Sequence, residues 1–137
     1  MKTHSPKTIS PHINALRVAA LLVASLIFGL SAAPAYAGNN YGAIAVSPST
    51  KALGWSYNYK SKAYAKSVAL AHCRKHASDC RIANWFRNSC GAIAFGKKGG
   101  WGADWGRSIK QAKWKAVKRC RKHDYGCKAV RWVCTDR

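Results

Sequence analysis

One segment with chemically reactive side chains occurs twice in the chain. The sequence CRKH at residues 73–76 is followed, after three residues, by Cys80, and CRKH at residues 120–123 is followed at the same spacing by Cys127. A cysteine and a histidine three residues apart are spaced as zinc ligands often are, whereas paired cysteines in an oxidising compartment form disulfides. The cellular compartment therefore decides between these two chemistries.

The first 37 residues predict a secretory signal peptide. Three cations, Lys2, Lys7 and Arg17, precede an apolar run over residues 18–30, and the sequence AYA at residues 35–37 is a small-x-small cleavage site. The run is shorter than the roughly 20 apolar residues of a spanning helix. We therefore expect cleavage near Ala37, a periplasmic or secreted protein without a transmembrane segment, and a single mature domain over residues 38–137.

All six cysteines follow the predicted signal peptide, so disulfides are favoured over a metal site. If each copy of the repeated segment closes its own loop, the pairs are Cys73 with Cys80 and Cys120 with Cys127. Cys90 and Cys134 then remain, and they would join the first and last strands of the second unit. We expect no metal and no cofactor.

The predicted mature domain is strongly basic. The chain has 24 lysines and arginines, four aspartates and no glutamate; without Lys2, Lys7 and Arg17, 21 basic residues remain, a formal charge of +17. Such a surface attracts anions in a salt-dependent way. The alternatives are charge that serves solubility alone and cations that offset the negative end of a helix. The candidate anion-binding residues are Arg74, Lys75, Lys115, Lys118, Arg119, Arg121 and Lys122.

Two pairs within that set argue against a purely structural role. Lys115 with Arg119, and Lys118 with Lys122, are like charges four residues apart on a predicted helix. Each such pair destabilises a helix by about 0.2–0.5 kcal/mol. An external anion explains them better than helix stability does, although a solvated basic face remains the alternative.

Aromatic residues form the second candidate site. Residues 38–137 include six tryptophans and five tyrosines, which are many for so small a domain, and exposed rings stack on sugars or bases or anchor protein interfaces. The alternative is that they fill the core. Two helices on one side of a single sheet would leave its other face partly open. Trp101 and Trp105 lie in a glycine-rich segment, and we expect these two to be exposed.

Catalysis has little support in the sequence. There is no glutamate, no close pair of carboxylates and no nucleophile elbow, and the bases available near neutral pH are His72, His76 and His123. We therefore predict a protein that is not an enzyme, with a small hydrolase as the least favoured alternative.

The two units have the same order of predicted elements: strand, strand, helix, strand. The sequence GAIA occurs at residues 42–45 and 91–94, the pair Gly-Trp at 54–55 is answered by 100–101, and Ser61 and Ser108 can cap the helices. The predicted fold is α+β: two β-β-α-β repeats, about 41–89 and 90–137, forming one mainly antiparallel sheet of about six strands with two helices, stabilised by disulfides.

The segments YGAIAVSPSTKALGWSY (41–57) and CGAIAFGKKGGWGADWG (90–106) are each followed by an alanine-rich helix ending in cysteine and by a strand with a tryptophan. In these features the chain resembles the bacterial family named domain of unknown function 4189, over nearly all of residues 41–135. The resemblance implies a small exported protein and this fold. The family has no assigned reaction, so the resemblance implies no catalytic residue.

These observations lead to a functional hypothesis. We expect an exported, cationic binding module that recognises an acidic protein or an anionic glycan or lipid surface. The alternative is a membrane-active, toxin-like effector, which shares the charge and the tryptophans. Nucleic acid would bind through its phosphates without specificity.

Overall fold

The computed structural model describes residues 38–137, and the predicted signal peptide lies outside the described residues. The elements are β1 (Tyr41–Val46), β2 (Leu53–Tyr59), α1 (Lys62–Arg74), β3 (Arg81–Arg87), β4 (Cys90–Phe95), β5 (Trp101–Gly106), α2 (Ile109–Cys120) and β6 (Lys128–Cys134). This order confirms the α+β class and the twofold β-β-α-β repeat. In the described part of the chain, neither helix is long and apolar enough to cross a membrane.

The six strands form two sheets, which differs from the single sheet that we predicted. Each repeat makes its own three-stranded antiparallel sheet, with strand orders β2-β1-β3 and β5-β4-β6. Side chains alternate along the central strand: Ala43 and Ala45 pack against α1, whereas Ile44 and Val46 pack against the other sheet. Both faces of each central strand are therefore buried, and the layers follow the order α1, sheet, sheet, α2.

Each helix approaches its sheet closely because a glycine lies beneath it. A side chain at Gly54 would overlap the carbonyl of Ala69 in α1, and one at Gly102 would overlap the backbone of α2 at Ala116 and Cys120. Gly54 and Gly102 are therefore the equivalent residues. The Gly-Trp pair at 100–101, which we matched to 54–55 from the sequence, lies two residues out of register.

The described cysteines form three disulfides: Cys73–Cys80, Cys90–Cys134 and Cys120–Cys127. These are the pairs that the duplication predicts. The two short loops follow α1 and α2, and Cys90–Cys134 links neighbouring strands β4 and β6. Because Cys73 and Cys120 are bonded to sulfur, neither can serve as a zinc ligand with its nearby histidine.

Two aspartates from the disulfide loops hold the hairpin turns. Asp79 accepts hydrogen bonds from the Ser47 hydroxyl and the Ser49 N–H, which lower the pKa of Asp79. Asp124 accepts from the N–H groups of Lys98 (2.9 Å) and Gly100 (2.8 Å). Desolvation raises the pKa of Asp124, but these N–H groups and that of Tyr125 together lower it below its ordinary value.

Candidate anion-binding groove

The two sheets meet along two pairs of edges, with β2 beside β6 and β3 beside β5. Between β2 and β6 the space is filled by a tryptophan and an arginine. The guanidinium carbon of Arg131 lies 4.1 Å from the centre of the Trp55 ring. This contact closes one side of the sandwich.

The equivalent residues on the other side are smaller. The register pairs Ile44 with Trp55 and Asn84, and it pairs the equivalent Ile93 with Ala103 and Arg131. Ala103 therefore takes the place of Trp55, and Asn84 takes the place of Arg131. With two large side chains replaced by small ones, a groove remains between β3 and β5, where the Asn84 side chain donates to the Asp104 carbonyl at 2.8 Å.

The opening consists of two adjoining cavities of about 800 and 570 Å³, which share Ala83, Ala103 and Arg119. We call it the β3–β5 groove. Basic side chains and tryptophans line much of the groove. These residues are Lys66, Arg81, Arg87, Arg119, Lys122, His123, Trp85, Trp101 and Trp105.

The one carboxylate that lines the groove is already neutralised. Asp104 Oδ2 lies 2.6 Å from Arg119 Nε, the one salt bridge among residues 38–137, and its Oδ1 accepts the N–H of Trp105 at 2.8 Å. Asp79 and Asp124 bind turn N–H groups, and Asp136 accepts from the Asn58 side chain at 2.7 Å. The other groove cations therefore face no carboxylate, and their field favours a bound anion.

Each groove tryptophan has a cation over its ring. Lys62 Nζ lies 4.0 Å from the centre of Trp85, and Lys115 Nζ lies 5.0 Å from that of Trp105. The guanidinium of Arg81 lies 5.4 Å from the centre of Trp101. Such contacts stabilise exposed cations by about 0.5–1 kcal/mol each. They position the charges without neutralising them, so the cations remain available to an anionic ligand.

The two tryptophans singled out from the sequence both line the groove, but they differ in exposure. Trp105 is 49% exposed, as we expected. Trp101 is half-buried and packs against the apolar core between the sheets, so the expectation that it is exposed was wrong. The prediction assumed one sheet with an open face, whereas the second sheet covers that face.

The seven cations predicted to bind anions do not form one site. Arg119 and Lys122 line the groove, and Lys115 reaches it over Trp105. Lys118 and Arg121 border a separate depression between α2 and β6, beside Trp114. Arg74 ends α1 and Lys75 caps it, on the opposite outer layer.

The cations on the β3 side of the groove were not predicted from the sequence. Arg81 and Arg87 come from β3, with Lys66 from α1 beside them. Matching Gly102 with Gly54 would have revealed the difference between the two sides of the sandwich, because that alignment places Ala103 where the first repeat has Trp55.

Comparison with known proteins places this fold in a family. The family model described as "Domain of unknown function (DUF4189)" matches residues 41–134. The NMR structure of Rv1813c from Mycobacterium tuberculosis is similar, with 31% sequence identity and a TM-score of 0.52 over 69% of this chain and 74% of that one. No curated protein matches. The chain therefore belongs to the DUF4189 family.

Proposed function

We propose that this protein is an exported binding module that recognises an anionic partner in the β3–β5 groove. The observation that carries the proposal is the difference between the two sides of the sandwich. Trp55 and Arg131 close one side, whereas Ala103 and Asn84 leave the other open between unpaired cations. The partner would be an acidic protein or an anionic glycan or lipid surface.

The charge of the whole domain supports an anionic partner. Of the 21 lysines and arginines after residue 37, one forms a salt bridge in the described residues. Repulsion among the rest opposes folding, and an anion would relieve it. Export is supported by the signal-like residues 1–37 and by three disulfides, which persist in oxidising compartments.

The test compares two double variants that lose the same charge. Arg81→Gln/Lys122→Gln removes groove cations, and Arg74→Gln/Lys110→Gln removes cations that do not line the groove. The exported, oxidised protein is titrated with polyglutamate, polygalacturonate and phosphatidylglycerol vesicles at about 0.15 M salt. We expect the groove variant to weaken binding of its preferred probe about tenfold relative to the control. Equal losses would show that net charge alone attracts the anion and that the groove is no site.

A membrane-active effector is the second candidate. Trp114 and Tyr64 are each 60% exposed, and Lys118 Nζ lies 5.0 Å from the Trp114 ring centre. Aromatic rings and lysines together suit the headgroup region of an anionic bilayer. Release of a trapped dye from phosphatidylglycerol vesicles would support this role, particularly if Trp114→Ala abolished it and the groove variant did not.

A further inference from the structure

Two cations of α2 and one from the turn that follows it form a row beside β5. Lys115 and Arg119 lie four residues apart on one face of α2, and Lys122 follows three residues later in the hydrogen-bonded turn after the helix, so the row spans about 10 Å. Lys115 contacts the Trp105 ring, Arg119 binds Asp104, and Lys122 lines the groove beside residues 99–103. All three thus point to the same strand.

The backbone of β5 has a free edge on this side. The N–H of Gly96 donates to the carbonyl of Gly100 at 2.8 Å. Because hydrogen-bonded and non-bonded pairs alternate in an antiparallel ladder, Gly102 and Asp104 direct their backbone groups toward β4. Trp101, Ala103 and Trp105 then direct theirs away from it.

Part of that edge is already capped. The N–H of Trp105 donates to the side chain of its neighbour Asp104, which agrees with an outward direction. The N–H and C=O groups of Trp101 and Ala103 have no backbone partner outside the β4–β5 ladder among residues 38–137. Unpaired edge groups of this kind are a template for another strand.

We propose that the ligand is an acidic polypeptide segment that adds as a strand to the edge of β5 at Trp101–Ala103. This inference rests on the proposed function and narrows it to one partner class. In an added strand every second side chain faces α2, and three such carboxylates span about 13 Å, close to the length of the cation row. The segment therefore alternates acidic residues with residues that enter the groove.

A polypeptide fits this edge better than a glycan does. Alternating donors and acceptors on β5 are matched by the N–H and C=O groups of another backbone, as in other cases of strand addition. A polyuronate supplies carboxylates for Lys115 and Lys122 but has no backbone ladder. The two ligands therefore differ in whether the amides of Trp101 and Ala103 become hydrogen-bonded.

The test uses a short peptide of alternating glutamate and valine, and the same peptide with N-methyl groups on its ladder-forming amides. Both have the same charge and side chains, but the methylated peptide lacks the ladder donors. We expect methylation to raise the Kd about tenfold or more. We also expect the unmethylated peptide to slow hydrogen exchange at the amides of Trp101 and Ala103.

A matched pair of protein variants tests the cation row. Lys115→Gln/Lys122→Gln should raise the Kd of the unmethylated peptide about tenfold, and Arg74→Gln/Lys110→Gln should change it about twofold. Equal binding of both peptides with no protection at Trp101 and Ala103 would overturn strand addition and leave anion binding in place. If polygalacturonate binds with this lysine dependence and the peptide does not, the partner is a glycan. If neither binds but phosphatidylglycerol vesicles do, strand addition is overturned and anion binding stands; if the vesicles do not bind either, the proposed function fails as well.

Discussion

Ala103 occupies in the second repeat the position that Trp55 occupies in the first, since each is the β-sheet neighbour of a buried isoleucine, Ile93 and Ile44 respectively. The duplicated fold would otherwise have two similar sides. This one difference in side-chain volume, together with Asn84 in place of Arg131, closes one side and opens the other. The candidate site thus arises where the two repeats differ, while their shared residues build the frame.

Trp55 should contribute strongly to stability. Its ring packs between the sheets and under Arg131, so Trp55→Ala would leave a cavity and expose apolar surface. We expect a loss of about 2–4 kcal/mol in the free energy of unfolding, measured by urea denaturation. Trp114→Ala, at a 60% exposed position, is the control and should cost under about 1 kcal/mol. Equal costs would mean that Trp55 does not close the sandwich.

Gly102 should tolerate no side chain. A methyl group there would overlap the backbone of α2, which cannot move without separating helix and sheet. Gly102→Ala and Gly54→Ala should each lower the free energy of unfolding by about 1–3 kcal/mol. Gly38→Ala meets the end of the Lys60 side chain at an ordinary contact distance and serves as the control. A neutral Gly102→Ala would show that this close approach is not required.

These glycines also explain what could be predicted from the sequence. The repeat, the element order and the disulfide pairs follow from local patterns: paired CRKH segments, helix caps and alternating side chains. The register between repeats was wrong because Gly-Trp occurs at 54–55 and 100–101, whereas helix packing requires a glycine at 102. A dipeptide match does not show which residue lies under a helix.

The number of sheets could not be read from the same patterns. Ala43 and Ile44 are both apolar, so both faces of β1 carry apolar side chains, but the sequence does not show what covers each face. A helix was expected on one face, and the other was thought to be open, which made Trp101 a candidate for exposure. The second sheet covers that face, and this depends on contacts between residues about 50 positions apart, such as Ile44 with Ile93.

The disulfides should differ in their contributions to stability. Cys90–Cys134 closes a loop with a sequence separation of 44, and Cys73–Cys80 closes one of 7. In the loop-entropy account, paired Cys→Ser substitution should cost about 4 kcal/mol for the first and about 2.5 kcal/mol for the second. Urea denaturation of each double variant, with the other disulfides oxidised, measures both. Equal costs would show that loop closure does not set the difference.

Asp124 should make stability depend on acid. Its pKa is lower in the folded protein, so its stabilising effect is present above the pKa of the unfolded chain, near 4, and is lost as the pH falls through the folded value. Asp79 acts in the same direction. We expect the melting temperature to be flat from about pH 7 to 5 and to fall below about pH 4. Asp124→Asn should melt lower at neutral pH and show a shallower acid dependence. An unchanged acid profile in that variant would mean that the turn contacts of Asp124 do not stabilise the fold.

The groove itself can be closed by copying the opposite side of the sandwich. Ala103→Trp with Asn84→Arg places in the β3–β5 groove the pair that fills the space between β2 and β6. The variant gains one positive charge, so attraction by net charge alone would strengthen anion binding. If the groove is the binding site, affinity should instead fall about tenfold or more, because the ligand and the new side chains compete for one space.

Two measurements keep that result interpretable. Ala103 belongs to the buried core between the sheets and Asn84 donates to the Asp104 carbonyl, so the melting temperature is measured beside affinity, and a large fall would indicate misfolding instead of closure. Val130→Trp adds a tryptophan at a 45% exposed position of β6 outside the groove, and it should leave affinity unchanged. Stronger anion binding by a stable, closed variant would move the site away from the groove and onto the outer basic face of α2.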